Sequence, residues 1–255
     1  MKQPSTSWGS VAQWYGDVIE NPESYQQNVI GPNLLRLMDL RPKTSVLDLA
    51  CGEGWFARLC EANKAVVVGV DIAPELINAA RKKSPPTITY HSSSAHRLSM
   101  IADHTIDRVV IVLALQNIQE VAEMLQECRR VLATGGRLLI VLNHPSFRIP
   151  KQSSWGWDEA HRLQYRRVDG YLSESRQMIV MHPGTVHSAS TISFHRPLQW
   201  YVKQLAKSGF CLTRLEEWIS HKKSQKGPRG SAEDRARKEF PLFLCLEARF
   251  DHVVV

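Results

Sequence analysis

A chain of 255 residues, 43% hydrophobic and with a formal net charge of +7, is long enough to bury one sizeable core, and one domain with an insertion is expected. It contains no run of about 18 apolar residues, and its opening Met1-Lys2-Gln3-Pro4-Ser5-Thr6-Ser7-Trp8 lacks an apolar secretory core, so a soluble cytoplasmic protein without a membrane partner is expected. The five cysteines, at 51, 60, 128, 211 and 245, are odd in number and never spaced C-x-x-C, which argues against a disulfide framework and for reduced, mostly buried thiols.

Residues 8 to 40 read as amphipathic helices broken near Asn21-Pro22 and Gly31-Pro32-Asn33, with Leu34, Leu35, Leu37, Met38 and Leu40 as a packing face. Residues 1–43 are therefore expected to form a helical cap over the domain that fills 44–255. That domain opens on Val46-Leu47-Asp48-Leu49-Ala50-Cys51-Gly52-Glu53-Gly54-Trp55-Phe56-Ala57. An apolar strand runs into a glycine turn, a helix begins, and a second apolar strand, Val68-Gly69-Val70, ends in Asp71. Two cofactor classes compete for such a segment. Gly52, Gly54 and Ala57 satisfy the dinucleotide spacing G-x-G-x-x-G/A, in which the backbone closes on a pyrophosphate. Asp48, however, stands before the glycines, where it would repel a pyrophosphate. S-adenosylmethionine carries a sulfonium, an ammonium and a carboxylate, which match an acid at the strand end and free N–H groups at the helix N-terminus. Asp71 then lies where ribose hydroxyls need an acceptor.

Further along, Pro74-Glu75-Leu76-Ile77-Asn78-Ala79-Ala80-Arg81 predicts a short helix and Ile88-Thr89-Tyr90-His91 a third strand. The continuous apolar run Ile106 to Leu115 predicts a strand covered on both faces, ending in Gln116-Asn117-Ile118. A helix bearing Val121, Met124, Leu125, Cys128, Val131 and Leu132 follows, with Gly135-Gly136 expected to end it before a strand from Arg137 to Asn143. Residues 144–195 are too long for an ordinary crossover and carry Trp155, Trp157, Tyr165 and Tyr171. Lying beyond the carboxyl end of a parallel strand, they are expected to cover the substrate, partly as short antiparallel strands near Gln177 to Met181 and Thr191 to Phe194. Pro197 opens a helix that Gly209 stops, and strands from Phe210 to Trp218 and Phe240 to Phe250 close the chain. Between them, residues 222–238 hold seven basic side chains against two acidic ones and read as a solvated, mobile connection.

The motif Asp48-x-Ala50-x-Gly52-x-Gly54, together with Asp71 and the strand and helix order through about residue 145, resembles the class I S-adenosylmethionine-dependent methyltransferases, of the small-molecule type known as methyltransferase type 11. Ala50 stands where that family has glycine, a departure expected to restrict the backbone only mildly. The resemblance implies a Rossmann-like α/β fold, with a seven-stranded, mostly parallel sheet, an antiparallel last strand and helices on both faces. It implies S-adenosylmethionine as cofactor and a small organic molecule as methyl acceptor. An N-terminal aromatic closes over the methyl donor in the family, which nominates Trp14, Tyr15 and Tyr25. Asp48, Ala50, Gly52, Gly54, Trp55, Asp71 and Ile72 would hold the methionine and ribose ends. Ser94 takes the place of the family's adenine-side acid, with Ala95 beside it, and Leu115 and Gln116 face the cofactor. Asn117, Trp155, Trp157 and Tyr165 are the substrate candidates, and their aromatic faces suggest a planar or cationic acceptor.

Of ten histidines, His144 directly after the fifth strand and His195 before the Pro197 helix are candidate bases. No metal site is expected, since Asp158-Glu159 has no partner at a recognised spacing. Nucleic acid is not expected as substrate. After the fourth strand the chain lacks the Asn-Pro-Pro-Tyr or Asp-Pro-Pro-Tyr element that grips a flipped base, and no cysteine stands where a cytosine C5 enzyme needs one. Two alternatives stay open: an RNA or protein methyltransferase using the 222–238 loop, and a non-catalytic cofactor-binding protein.

Overall fold

The computed structural model describes residue 16, residues 19–180 and residues 190–250. Its main sheet takes seven strands: Ser45–Leu49 (β1), Val66–Asp71 (β2), Thr89–Ser92 (β3), Ile106–Val112 (β4), Leu132–Asn143 (β5), and, counted after two intervening hairpins, Cys211–Trp218 (β10) and Phe243–Arg249 (β11). The spatial order is β3-β2-β1-β4-β5-β11-β10. β1 to β5 run parallel, while β11 lies antiparallel to both of its neighbours, so the fold is the expected mostly parallel sheet with an antiparallel last strand.

Alternation along the strands sends side chains to opposite faces, and two helical layers bury them. Leu47 and Leu49, Val109 and Ile111, and Leu138, Ile140 and Leu142 pack on one side, beneath the helices Val121–Val131 (α4) and Leu198–Lys207 (α5). Val46, Val110, Leu139 and Val141 pack on the other, beneath Gly31–Met38 (α1), Trp55–Ala62 (α2) and Pro74–Lys83 (α3). α4 illustrates the logic: Val121, Met124, Leu125, Cys128 and Val131 recur on one face and are all buried. α3 starts on Pro74, carries Glu75 in its first turn and Arg81, Lys82 and Lys83 in its last, each favourable to the helix dipole.

Two local expectations are corrected. α4 ends at Val131 rather than at the glycine pair, because Leu132 is already extended and pairs with Ile106 of β4 while its side chain enters the core. Gly135 and Gly136 instead lie within β5, and Gly135 has a left-handed backbone with φ of 75°. The basic connection is not loop throughout, since Gly230–Glu239 forms a helix (α6). Among the described residues, no helix is long and apolar enough to cross a membrane.

The segment after β5 folds as two hairpins outside the main sheet, Ser153–Asp158 (β6) with Leu163–Val168 (β7), and Ser175–Val180 (β8) with Ser190–His195 (β9). The first packs on α6. The second is tied to the turn after β4, where Asn117 Nδ2 donates to Ile192 O at 2.7 Å.

At the start of α2, Gly54 has φ of 77°, and a Cβ there would sit 2.2 Å from Tyr90 Oη and 2.8 Å from its Cζ. Left-handed backbone and overpacking each cost about 1–2 kcal/mol, so Gly54→Ala should lower stability by about 2–4 kcal/mol in urea unfolding. A loss below about 0.5 kcal/mol would contradict this reading of the turn.

Candidate cofactor and acceptor site

The carboxyl ends of β1, β2 and β4 meet at a turn whose backbone is left-handed at Ala50, Gly52 and Gly54. Asp71, at the end of β2, holds it: Oδ2 accepts from Gly52 N and Oδ1 from Ala73 N, both at 2.9 Å. Glu53, buried within the turn, pairs with Lys83 and, at 3.6 Å, with Arg58, which pins the turn to α2 and α3. Ala50 is costlier than its sequence suggested. With φ of 60° its Cβ carries about 1 kcal/mol of strain that glycine would not.

Asp48 forms part of the adjoining cleft together with Ala50, Gly52, Phe56 and the β4 end at Val112 and Leu113. It is 2% exposed, and its Oδ2 has no hydrogen-bond partner among the described residues. Burial pushes its carboxyl up to about 7; the Ala57 N–H and Arg58 oppose this while Asp71 adds to it. Burial likewise raises Asp71, against the N–H groups of Ala73, Gly52 and Ile72. A buried acid oxygen left open to a cleft is costly unless a cation fills it.

A second cavity lies past the ends of β4 and β5, formed by Gln116 and Asn143, by Arg148, and by Ser193 to Arg196 with Tyr201 of α5. Gln116, expected at the cofactor, lines this cavity; Leu115 is buried in the core beside it. His195 lies here, and its Nε2 donates to Tyr171 O at 2.8 Å, which leaves Nδ1 as the basic nitrogen of the neutral ring. His144 is held differently. Nε2 bonds Glu217 Oε1 at 2.7 Å, Nδ1 accepts from Ser146 N at 3.1 Å, and burial lowers its pKa against the pull of Glu217.

The other nominated residues disperse. Tyr15 and Trp14 lie outside the described residues. Tyr25 bonds Ser220 Oγ at 3.2 Å, with Lys222 Nζ 5.1 Å from its ring. Trp55 is an exception and lines the first cleft, buried against Phe56, whereas Ile72 is half-buried beyond β2. Ser94 Oγ is 2.8 Å from His96 Nδ1, beside half-buried Ala95. Trp155 and Trp157 meet neither cavity: Arg166 covers Trp155 at 5.1 Å, and Arg229 covers Trp157 at 4.6 Å. Tyr165 is exposed across from Gly156. The aromatic faces that suggested a cationic acceptor are thus taken by the chain's own guanidinium groups. Arg148 and the Val112–Leu113 pair were missed by motif spacing because tertiary approach alone brings them to the cavities, and Glu53, though within the turn, was missed because its partners Arg58 and Lys83 come from α2 and α3.

This strand order, with an acid-flanked glycine turn at the carboxyl ends of β1 and β2, is that of the class I S-adenosylmethionine-dependent methyltransferases. Residues 47–140 match the family model described as "Methyltransferase domain". The chain is 30% identical over 144 residues to a demethylmenaquinone methyltransferase of Shouchella clausii, covering 53% of this chain and 61% of that protein. It is 26% identical over 176 residues to the biotin biosynthesis bifunctional protein BioHC of Cellvibrio japonicus, covering 69% of this chain and 32% of that one. The matched stretches therefore span less than two thirds of these relatives. A solved S-adenosylmethionine-dependent methyltransferase from Mesorhizobium loti shares the fold with a TM-score of 0.68 at 24% identity, covering 87% of this chain and 98% of that one. The chain thus shares the class I methyltransferase fold, and its residues 47–140 are similar to a methyltransferase domain.

Asp48 supplies a test of the cleft in the absence of any ligand. Its folded-state pKa of about 7 lies above the ordinary 3.8, so ionising it penalises the folded state, increasingly as pH rises from about 4 to 7. Asp48→Asn removes the penalty, and its Tm advantage over wild type should widen by roughly 5 °C between pH 5 and pH 8. A difference independent of pH would contradict the raised carboxyl.

Proposed function

We propose that the protein transfers a methyl group from S-adenosylmethionine to a small organic acceptor, and that it works in the cytoplasm. The observation that carries this is the buried, unpartnered Oδ2 of Asp48 beside a left-handed turn. An ammonium fits such an atom and a pyrophosphate does not. Asp48 would take the cofactor's ammonium. Asp71 uses one lone pair of each oxygen on backbone N–H groups, and its remaining pairs would accept from ribose hydroxyls. Trp55 and Ile72 would flank these contacts, Ser94 and Ala95 would meet the adenine, and residues 1–43, with Tyr15 and Tyr25, would cap the site.

The bound cofactor supplies a methyl on sulfonium whose leaving group departs as a neutral thioether, so positioning and water exclusion do most of the catalytic work. The hairpin β8–β9, anchored through Asn117, closes the acceptor side, so that 144–195 serves as a substrate cover. His195 Nδ1 is the group we assign to take the acceptor's proton. His144, with both ring nitrogens engaged, steadies the end of β5 instead. The relatives' names, a demethylmenaquinone methyltransferase and a biotin biosynthesis protein, are in keeping with a small acceptor.

S-adenosylhomocysteine at 100 times its Kd should stabilise the protein by about 2.7 kcal/mol, Asp71→Ala should abolish the shift, and NAD should give none. With methyl-labelled cofactor and host extract, label should enter the small-molecule fraction. Label confined to RNA or protein, or stabilisation by NAD alone, would overturn the proposal.

A further inference from the structure

The second cavity is lined by two arginines that pair with no acid among the described residues. Arg196 is buried between Phe194 and Trp200, at 4.8 and 4.4 Å, and donates to the carbonyl oxygens of Ile118 at 3.0 Å and Leu115 at 3.4 Å and to the Tyr201 hydroxyl. Arg148 is half-buried, lies 5.4 Å from the Phe243 ring, and donates to Asn143 Oδ1 at 2.5 Å. Among the described residues, neither has a carboxylate oxygen within 4.0 Å, and Glu174 and Glu120 act on Arg196 only from farther away. The sequence of 181–189, between β8 and β9, contains no Asp or Glu. Elsewhere Arg130 pairs with Glu127 at 2.7 Å and Arg137 with Glu247 at 3.7 Å, while half-buried Arg108 and Arg166 each rest singly on backbone carbonyls, Arg166 on Ser153 Oγ as well. What sets Arg148 and Arg196 apart is that two guanidinium groups without acidic partners line one cavity, a pairing suited to an anion.

A separate atom points the same way. Gln116 is 9% exposed; its Nε2 donates to Asn143 O at 3.2 Å, which fixes the amide orientation, and its Oε1 is left buried with no partner. That oxygen requires a donor that the described residues do not supply.

We propose that the methyl acceptor is a small organic anion, with its carboxylate or phosphate on Arg148 and Arg196 and an O–H or N–H donating to Gln116 Oε1. This rests on the methyl-transfer reading above. The anionic group is the handle and not the methylated atom, because esterifying it would remove the charge the arginines bind. Phe194 and Tyr201, which line the cavity, supply apolar contact.

The test starts from wild-type protein, methyl-labelled cofactor and the small-molecule extract, with products run on an anion exchanger at pH 7. Labelled product should be retained. Release on lowering the pH to about 2 identifies a carboxylate, whereas continued retention identifies a phosphate. Arg148→Gln and the conservative Arg196→Lys should each raise KM for that acceptor at least tenfold while leaving the Kd of S-adenosylhomocysteine within twofold. Equilibrium dialysis of the purified product should give the same loss of affinity without turnover. Unretained label, or unchanged KM and product binding in both variants, overturns the anion assignment and leaves methyl transfer standing. Absence of label from all small molecules overturns the methyl-transfer reading itself.

Discussion

A carboxylate oxygen buried at the end of β1, with no hydrogen-bond partner among the described residues, is the feature around which the cofactor side is arranged. Asp48 gains no stability from its position. Desolvation pushes it up to about 7, and Asp71 nearby adds to the penalty. The turn beside it is also costly, with Ala50, Gly52 and Gly54 all in left-handed conformations and Leu113 across the cleft at φ of 54°. What holds this arrangement is the apolar packing on both sheet faces, the two N–H bonds to Asp71 and the Glu53 ion pairs. Local instability at the site is borne by a core that needs none of these residues.

The two cavities divide the chemistry by charge. The cleft at the turn presents buried acids, suited to a cationic cofactor end, and the one past β4 and β5 presents guanidinium groups without acidic partners. The turn Leu115–Asn117 meets the second cavity, with Gln116 lining it and Asn117 fastening the β8–β9 hairpin. A shift in that hairpin would therefore move His195 and Arg196 together, because His195 ends β9 and Arg196 follows it.

The fold was legible because its signals are local. Val46 to Asp71 announces strand, turn, helix and strand, and the apolar run from Val109 to Leu115 reads as a strand covered on both faces. Asp48 and Asp71 were legible for the same reason, since each is fixed by its strand end. The helix end at Val131 was not, because the core takes Leu132 into β5 before the glycine pair is reached. Trp155 and Trp157 drew attention as exposed aromatics in a long insertion, yet the partners on their faces, Arg166 and Arg229, come from β7 and from the segment before α6. Arg148 and Arg196 carried no pattern at all. Their significance lies in lacking acids nearby, which only a three-dimensional neighbourhood reveals.

The most direct measurement of the central claim is proton release on cofactor binding, by titration calorimetry at pH 6 in buffers of different ionisation enthalpy. A carboxyl at about 7 is mostly protonated at that pH and must ionise to receive an ammonium. About 0.9 proton per S-adenosylmethionine should be released at pH 6, falling toward about 0.1 at pH 8 and vanishing in Asp48→Asn. Binding that releases no proton at pH 6, or the same number in the variant, would contradict Asp48 as the cation's partner.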